Sequence, residues 1–158
     1  MLLNNRRVRR SAFSLAELMV ACGLLAIIAG SGVAGLLRMN NNAALSRLQT
    51  GASTVAQNRI DLILSDGPFN PQKNQIPPSL APGKQEIGSE TNPTIPIYTD
   101  PASGVVSVWG WMTSTVADTN TAYNGTNLNL YRATVTVFYQ YRGRPYSVTM
   151  QTLRTSDI

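Results

Sequence analysis

The feature that most restricts how this chain can fold is an uncharged apolar segment near its N-terminus. From Leu18 to Leu37 the sequence runs for twenty residues without a charged side chain. A helix of that length rises about 30 Å, which matches the hydrocarbon thickness of a bilayer. The sequence therefore predicts one membrane-spanning helix in this region.

The residues before this segment predict its orientation. Thirteen Lys and Arg side chains stand against eight Asp and Glu in the whole chain, and four of the thirteen lie in the first ten residues. Positive charge favours the cytoplasmic side of a membrane. We therefore expect a single-pass protein whose N-terminus is cytoplasmic and whose remainder lies outside the cytoplasm. These four cations are Arg6, Arg7, Arg9 and Arg10.

Composition also narrows the function. Without the first ten residues the chain is close to neutral, which argues against nucleic acid as a partner because nucleic-acid binding needs clustered cations. Histidine is absent, so the usual neutral-pH acid and base and the commonest metal ligand are missing. The sequence contains no phosphate loop, metal-ligand cluster or nucleophile–base pair. It predicts a protein that is not an enzyme, with no catalytic residue, metal or cofactor.

Glu17 stands at the border of the apolar segment. Insertion scales put the cost of a charged side chain at the bilayer centre at about 2.5–3.5 kcal/mol. Such a carboxylate either has a partner or stays solvated at the level of the headgroups, and the residues by themselves leave both alternatives open.

Two other ways of processing the N-terminus compete with a retained membrane helix. Conventional signal cleavage would follow the apolar segment, with Gly32-Val33-Ala34 as the site, but Glu17 and the long polar lead argue against it. A lipoprotein would use Met19-Val20-Ala21 before Cys22, but the apolar stretch before that cysteine is too short. Cys22 is better interpreted as a small buried apolar residue.

The residues from Ser11 to Leu18 read SAFSLAEL. After the basic leader, this stretch resembles the processing site of type IV prepilins and type II secretion pseudopilins: a small residue, Phe, Ser or Thr, Leu, a variable residue, then Glu. The resemblance implies that a prepilin peptidase and methyltransferase cuts between Ala12 and Phe13 and N-methylates Phe13. Ala12 replaces the glycine that is usual in the family. The resemblance also implies that Glu17 pairs with the Phe13 amine of a neighbouring subunit during assembly.

The same resemblance implies a location and partners. Before assembly the protein would reside in the bacterial inner membrane, with lipid around its helix. An inner-membrane assembly platform would then pack it with other pilin or pseudopilin subunits into a filament, in the periplasm or at the cell surface.

Small residues within the apolar helix permit close approach of neighbouring helices, although glycine is also common in spanning helices. No proline interrupts this helix, so any local unwinding would depend on glycines. The predicted packing positions are Ala26, Gly30, Gly32, Ala34 and Gly35.

The remaining chain predicts a pilin-like α+β fold, a long helix packed on a small antiparallel sheet. Apolar residues recur every three or four positions after residue 38, with a gap at Arg59, and Gly67-Pro68 ends the helix. Val135, Val137 and Tyr139 alternate with polar residues and should face the helix, opposite Val148 and Met150 of a second strand. The stripe on the helix is Leu45, Leu48, Ala52, Val55 and Leu62, broadened by Ile60, Ile63 and Leu64.

The predicted organisation has five parts. They are a leader at 1–12, a transmembrane and assembly helix at 13–37, an amphipathic helix at 38–66, an irregular proline-rich loop at 67–104 and a sheet at 105–158, with a loop at 117–129 inside it.

The C-terminal hairpin resembles those of PilV-type minor pilins and I-type minor pseudopilins, and a single cysteine cannot form the disulfide loop of many major pilins. The predicted function is a minor subunit that primes or caps filament assembly. The alternatives are a major pilin, or a membrane-anchored or secreted module that binds a ligand through 67–104.

Overall fold

The computed structural model describes residues 14–119, 122–123, 126–127 and 129–157. The predicted leader, with Ala12 and Phe13, lies outside these residues. The chain is α+β, as predicted: one long helix is followed by antiparallel strands. The elements are α1 (Leu15–Ser65), β1 (Gly83–Ile87), β2 (Ile95–Thr99), β3 (Val106–Asp118), β4 (Ala122–Tyr123), β5 (Thr126–Asn127), β6 (Tyr131–Tyr141) and β7 (Arg144–Arg154), with 3₁₀ turns at Pro71–Lys73 and Pro78–Leu80.

The chain divides into two compact units after Ala43. Over the part of the first unit that the structure describes, the apolar side chains of α1 are exposed: Leu18, for example, is 60% exposed and Ile27 is 70% exposed. Among the described residues, α1 is the one helix long and apolar enough to cross a membrane. Its length and composition are those of a membrane span, and a signal sequence has the same two properties.

Cys22, predicted to be buried, is exposed within this chain. Among the described residues of the first unit nothing packs against the apolar part of α1, so they give this thiol no buried environment. The helix also runs without a break through Gly30, Gly32 and Gly35, so the chain by itself has no unwound stretch there.

The second unit, residues 44–158, is called the globular unit below. Within it α1 buries one stripe, which agrees with the predicted one in part. Leu62 and Leu64 were expected on this stripe, but they are 47% and 42% exposed. From Leu48 the buried positions advance by four residues to Ile60 and by three to Ile63, which adds Ala56 to the stripe, while the predicted Val55 is half-buried and packs against the same core. The buried positions of α1 are Leu48, Ala52, Ala56, Ile60 and Ile63. Arg59, the predicted gap, donates a hydrogen bond of 2.6 Å to the side-chain oxygen of Gln85 on β1.

The main sheet has five strands in the order β1-β3-β6-β7, and β2 also pairs with β3. β1 pairs with β3 from Met112 to Val116, while β2 pairs with it from Val106 to Gly110. The interpretation of 67–104 as an irregular loop is therefore wrong where β1 and β2 lie, and β3 extends into the predicted loop at 117–129. Pro96 fits β2 because an edge strand does not need every backbone N–H.

The C-terminal hairpin is as predicted. Val135 pairs with Met150 and Val137 pairs with Val148 across β6 and β7. Val135 and Val137 are fully buried, and their two partners pack against the same core from β7. The turn is tight, and Arg142 and Gly143 have φ values of 52° and 71°, as a two-residue hairpin turn of the primed type requires.

The C-terminal end of α1 is held by a residue from the far end of the chain. Gly67 follows the helix with φ of 47°, as expected for a left-handed cap before proline. The last turn of α1 has no basic residue of its own. Arg154 supplies one: its guanidinium donates to the carbonyls of Ile63, Asp66 and Gly67 at 2.7, 3.0 and 3.0 Å. Carbonyls at a helix end lack intrahelical donors, so a cation there also complements the helix dipole.

Asp157 adds to these contacts, and Arg154 and Asp157 together are called the C-terminal clasp below. Its carboxylate accepts from the backbone N–H of Phe69 at 2.9 Å and from Arg154 at 2.7 Å. The Phe69 amide, followed by the Arg154 hydrogen bond, lowers the pKa of Asp157 below its ordinary value. The end of the chain is thereby fastened to the residues that leave α1.

We expect the clasp to make stability fall in acid. Because the pKa of Asp157 is lower in the folded state, its contribution is complete above about pH 4, the unfolded value, and is lost as the pH falls through the folded value. Asp157→Asn should lower the melting temperature at pH 7, and the difference from the unaltered protein should shrink below pH 4. Thermal unfolding followed by tryptophan fluorescence in micelles measures this, and an equal difference at pH 7 and pH 3 would contradict it.

Two glycines, Gly51 on α1 and Gly110 on β3, make room for Ile97 of β2. A Cβ added at Gly51 would collide with the carbonyl oxygen of Ile97. A Cβ added at Gly110 would lie 2.9 Å from Cγ1 of Ile97 and collide with the carbonyl oxygen of Phe138. Ile97 is 5% exposed, so its side chain and backbone occupy space that any larger residue at these two positions would need.

Gly51→Ala should therefore destabilise the globular unit. Overpacking typically costs about 1–3 kcal/mol, and alanine returns about 1 kcal/mol of helix propensity, so we expect a net loss. Gly35→Ala is the matched control, because an added Cβ there meets nothing. Trp109 and Trp111 both report on the globular unit by fluorescence. An unchanged melting temperature for Gly51→Ala would show that the backbones can separate without cost.

Candidate functional site

The candidate site is the start of α1, where the chain turns from polar to apolar. Ser14 precedes the helix and acts as its N-cap. The Ser14 hydroxyl accepts from the backbone N–H of Glu17 at 3.2 Å, and the Ser14 carbonyl accepts from the N–H of Leu18 at 3.2 Å. The sequence folds this way locally because a serine side chain satisfies a helix N–H that has no intrahelical acceptor.

Glu17 completes the arrangement in the opposite direction. Its carboxylate accepts from the backbone N–H of Ser14 at 3.0 Å and from the Ser14 hydroxyl at 3.2 Å. Together these bonds form a capping box, in which the first and fourth residues of an S-x-x-E sequence satisfy each other. Negative charge in the first turn of a helix is also favoured by the helix dipole.

This geometry gives Glu17 a partner that the sequence analysis did not name. The two alternatives for this carboxylate were an unspecified partner and solvation at headgroup level. The capping box gives it a partner within its own chain, while the residues remain exposed. The signal was present in the sequence, because Ser14-Leu15-Ala16-Glu17 before an apolar run is a capping-box pattern.

The predicted packing residues do not form one surface. At about 100° of rotation per residue, Ala26, Gly30 and Ala34 lie on one face of α1, while Gly32 and Gly35 lie nearly opposite. Within the chain an added Cβ at Gly30, Gly32 or Gly35 meets nothing. Among the described residues these small side chains serve no contact, and they lie on two faces of the helix.

Other chemistry is sparse in the part of the chain that the structure describes. No group of three or more His, Cys, Asp or Glu side chains gathers there in a way that could hold a metal ion. The processing residues Ala12 and Phe13 belong to the segment outside the described residues.

Comparisons with known proteins give no further assignment: no family model, no curated protein and no solved structure matches this chain.

The capping box should slow hydrogen exchange in the first turn of α1. Ser14→Ala removes an N-cap, which typically costs about 0.5–2 kcal/mol, so the amides of the first turn should exchange with deuterium about 2- to 30-fold faster. Ser31→Ala is the control, since the Ser31 hydroxyl only donates to the Ile28 carbonyl within the helix. Exchange measured residue by residue in micelles tests this. Equal effects of the two changes on the first turn would contradict the cap.

Proposed function

We propose that this chain is a minor subunit of a type IV pilus or type II secretion pseudopilus, made as a precursor and built into a filament to prime or cap its assembly. The observation that carries the proposal is Glu17. It is a carboxylate at the border of an uncharged segment of spanning length, four residues after the phenylalanine of a prepilin-type cleavage motif.

The apolar half of α1 supports a membrane-held precursor. Its side chains are uncovered in the chain, and in water such a surface would be costly at about 25 cal/mol per Å². Lipid covers it before assembly, and the helices of neighbouring subunits cover it afterwards. The exchange is possible because lipid tails and packed helices are both apolar surroundings.

Cleavage before Phe13 would change the charge of the N-terminus. It removes the four leader arginines and creates an α-amino group, which is cationic below a pKa of about 8. The resemblance pairs that amine with Glu17 of a neighbouring subunit. In a bundle of low dielectric constant such a pair can interact more strongly than in water.

The capping box refines this step. In a separate subunit the N–H and the hydroxyl of Ser14 donate to the Glu17 carboxylate. The carboxylate therefore keeps hydrogen bonds while the subunit is in the membrane. During assembly the neighbour's amine offers a charged donor in place of, or in addition to, the neutral Ser14 donors, and bonds between charged groups are the stronger ones. A buried ion pair need not add net stability, so the role assigned to Glu17 is to set the axial register between subunits.

The small residues suit a helix that is surrounded by others. One face carries Ala26, Gly30 and Ala34, and the opposite side carries Gly32 and Gly35. Two such faces allow two neighbours to approach closely, as a subunit in the interior of a helical bundle requires.

The minor role is supported by the C-terminal hairpin and by cysteine content. The β6–β7 hairpin resembles those of minor subunits, and the single Cys22 leaves the globular unit without a disulfide loop. Arg154 and Asp157 fasten the C-terminal segment by polar contacts instead.

Intact mass of the protein extracted from membranes tests the processing step. We expect a chain that begins at Phe13 and carries one additional methyl group. A chain that begins near Gly35 would instead favour a secreted binding module, and a chain that still begins at Met1 would remove the filament proposal.

Glu17→Ala tests the assembly step. Processing should continue, while incorporation into sheared filaments should fall about tenfold or more, since charge-assisted bonds contribute roughly 1.5–3 kcal/mol. Glu86→Ala is the control, because Glu86 is an exposed carboxylate on the globular unit. Equal incorporation of the two variants would show that Glu17 does not set the register.

A further inference from the structure

A cavity of about 220 Å³ opens on the globular unit where the first turns of its helix meet the sheet. Leu48 and Val108 contribute apolar side chains to its lining, and Tyr98 and Tyr141 contribute aromatic rings with phenol hydroxyls. Arg47 and Ser107 add a guanidinium and a hydroxyl. Leu48 is buried, whereas Arg47 is exposed. The cavity therefore combines an apolar part with a set of hydrogen-bond donors.

The one charged side chain among the described residues that line the cavity is the cation Arg47. No carboxylate lines it, and within the described residues Arg47 has no acidic partner. The guanidinium of Arg142 lies 5.4 Å from the ring centre of Tyr141, which places a second cation beside one of the lining rings.

The nearest acidic residue in sequence does not line the cavity. Asp100 follows Tyr98 by two residues, and its carboxylate accepts from the Ser103 hydroxyl at 2.7 Å and from the Ala102 amide at 3.1 Å. These neutral donors leave the carboxylate charged, but they fix it within its own turn, outside the lining. The cavity thus favours an anionic ligand that also carries an apolar portion.

Phosphate suits these donors well. Guanidinium groups bind phosphate oxygens through paired N–H donors, and phenol hydroxyls can donate to the remaining oxygens. The Ser107 hydroxyl already donates to the Tyr98 carbonyl, at 3.5 Å. Arginine and tyrosine side chains are also typical of the boundary between membrane and water, where an aromatic body meets a polar tip.

The sequence position of the cavity identifies the source of such a phosphate. Ala44, another lining residue, follows Leu37 by seven residues. Whatever the arrangement of the two units, seven residues cannot separate these positions by more than about 25 Å. If α1 spans a membrane, the cavity stays close to the headgroups of that membrane.

We propose that this cavity binds the phosphate headgroup of an anionic phospholipid, with Arg47 on the phosphate and the first apolar carbons of the lipid against Leu48 and Val108. The site would hold the globular unit at the membrane surface before the subunit leaves the bilayer. The inference depends on α1 as a membrane span and not on the filament proposal, so either can fail without the other.

The test uses the full chain in neutral detergent micelles, with ¹³C-labelled tyrosine. Short-chain phosphatidylglycerol should shift the resonances of Tyr98 and Tyr141 in a saturable way and leave those of the buried Tyr131 and Tyr139 unchanged. Arg47→Gln should weaken this binding about tenfold or more, and Arg47→Glu should abolish it. Arg132→Gln, at an exposed arginine on β6 that does not line the cavity, should leave it unchanged.

Three further titrations decide the class of ligand. Short-chain phosphatidylcholine should bind at least about tenfold more weakly if net negative charge is required. Inorganic phosphate that binds as tightly as the lipid would overturn the proposal in favour of a free anion. A soluble acidic peptide that shifts the same two tyrosines at equal concentration would overturn it in favour of a protein partner. Unchanged affinity in Arg47→Gln would overturn it altogether.

Discussion

An uncovered apolar surface is the constraint on which the rest of this protein depends. The first half of α1 satisfies its backbone hydrogen bonds internally, as any segment in lipid must, but its apolar side chains have no cover among the described residues. In water such a surface would be costly. At its edge Ser14 and Glu17 satisfy each other, which gives the carboxylate hydrogen bonds from its own chain.

The globular unit solves a different problem, because it has no disulfide and must rely on packing and on polar fastening. The buried stripe of α1 contains two alanines, Ala52 and Ala56, and Gly51 lies beside it. These small residues bring the helix backbone against β2, where Ile97 fills the space above Gly110. The largest fully buried side chains come from the end of α1 and the segment after it, through Ile63, Phe69 and Leu80. The sheet adds Val135, Val137 and Tyr139.

Arg154 adds a polar constraint to this apolar core. It is 8% exposed, so its charge is compensated by three helix-end carbonyls and by Asp157. Removing a partner from such a buried set costs more than forming it gains. The clasp joins the last strand to the segment that leaves α1. It also supplies donors to carbonyls at the C-terminal end of α1, which lack intrahelical donors.

Part of this structure follows from local sequence alone. Three features can be predicted from a few consecutive residues, because each depends on the geometry of one helix, turn or strand. They are the spanning length of Leu18–Leu37, the end of α1 at Gly67-Pro68 and the alternation of Val135, Val137 and Tyr139. The capping box was readable for the same reason, since its two residues are three positions apart. The prepilin-type resemblance is likewise confined to a few consecutive residues.

The tertiary structure decided the rest, because it depends on residues that are distant in sequence. β1 has the polar sequence Gly83–Ile87 and becomes a strand through pairing with β3, and β2 tolerates Pro96 by lying at an edge. The buried stripe passes through Ala56 because the sheet, and not the helix, fixes which face is covered. From the sequence Arg154 is an ordinary strand residue. Only the tertiary fold brings its guanidinium to the carbonyls of Ile63, Asp66 and Gly67. The cavity beside Arg47 likewise exists only where helix, β2, β3 and β6 meet.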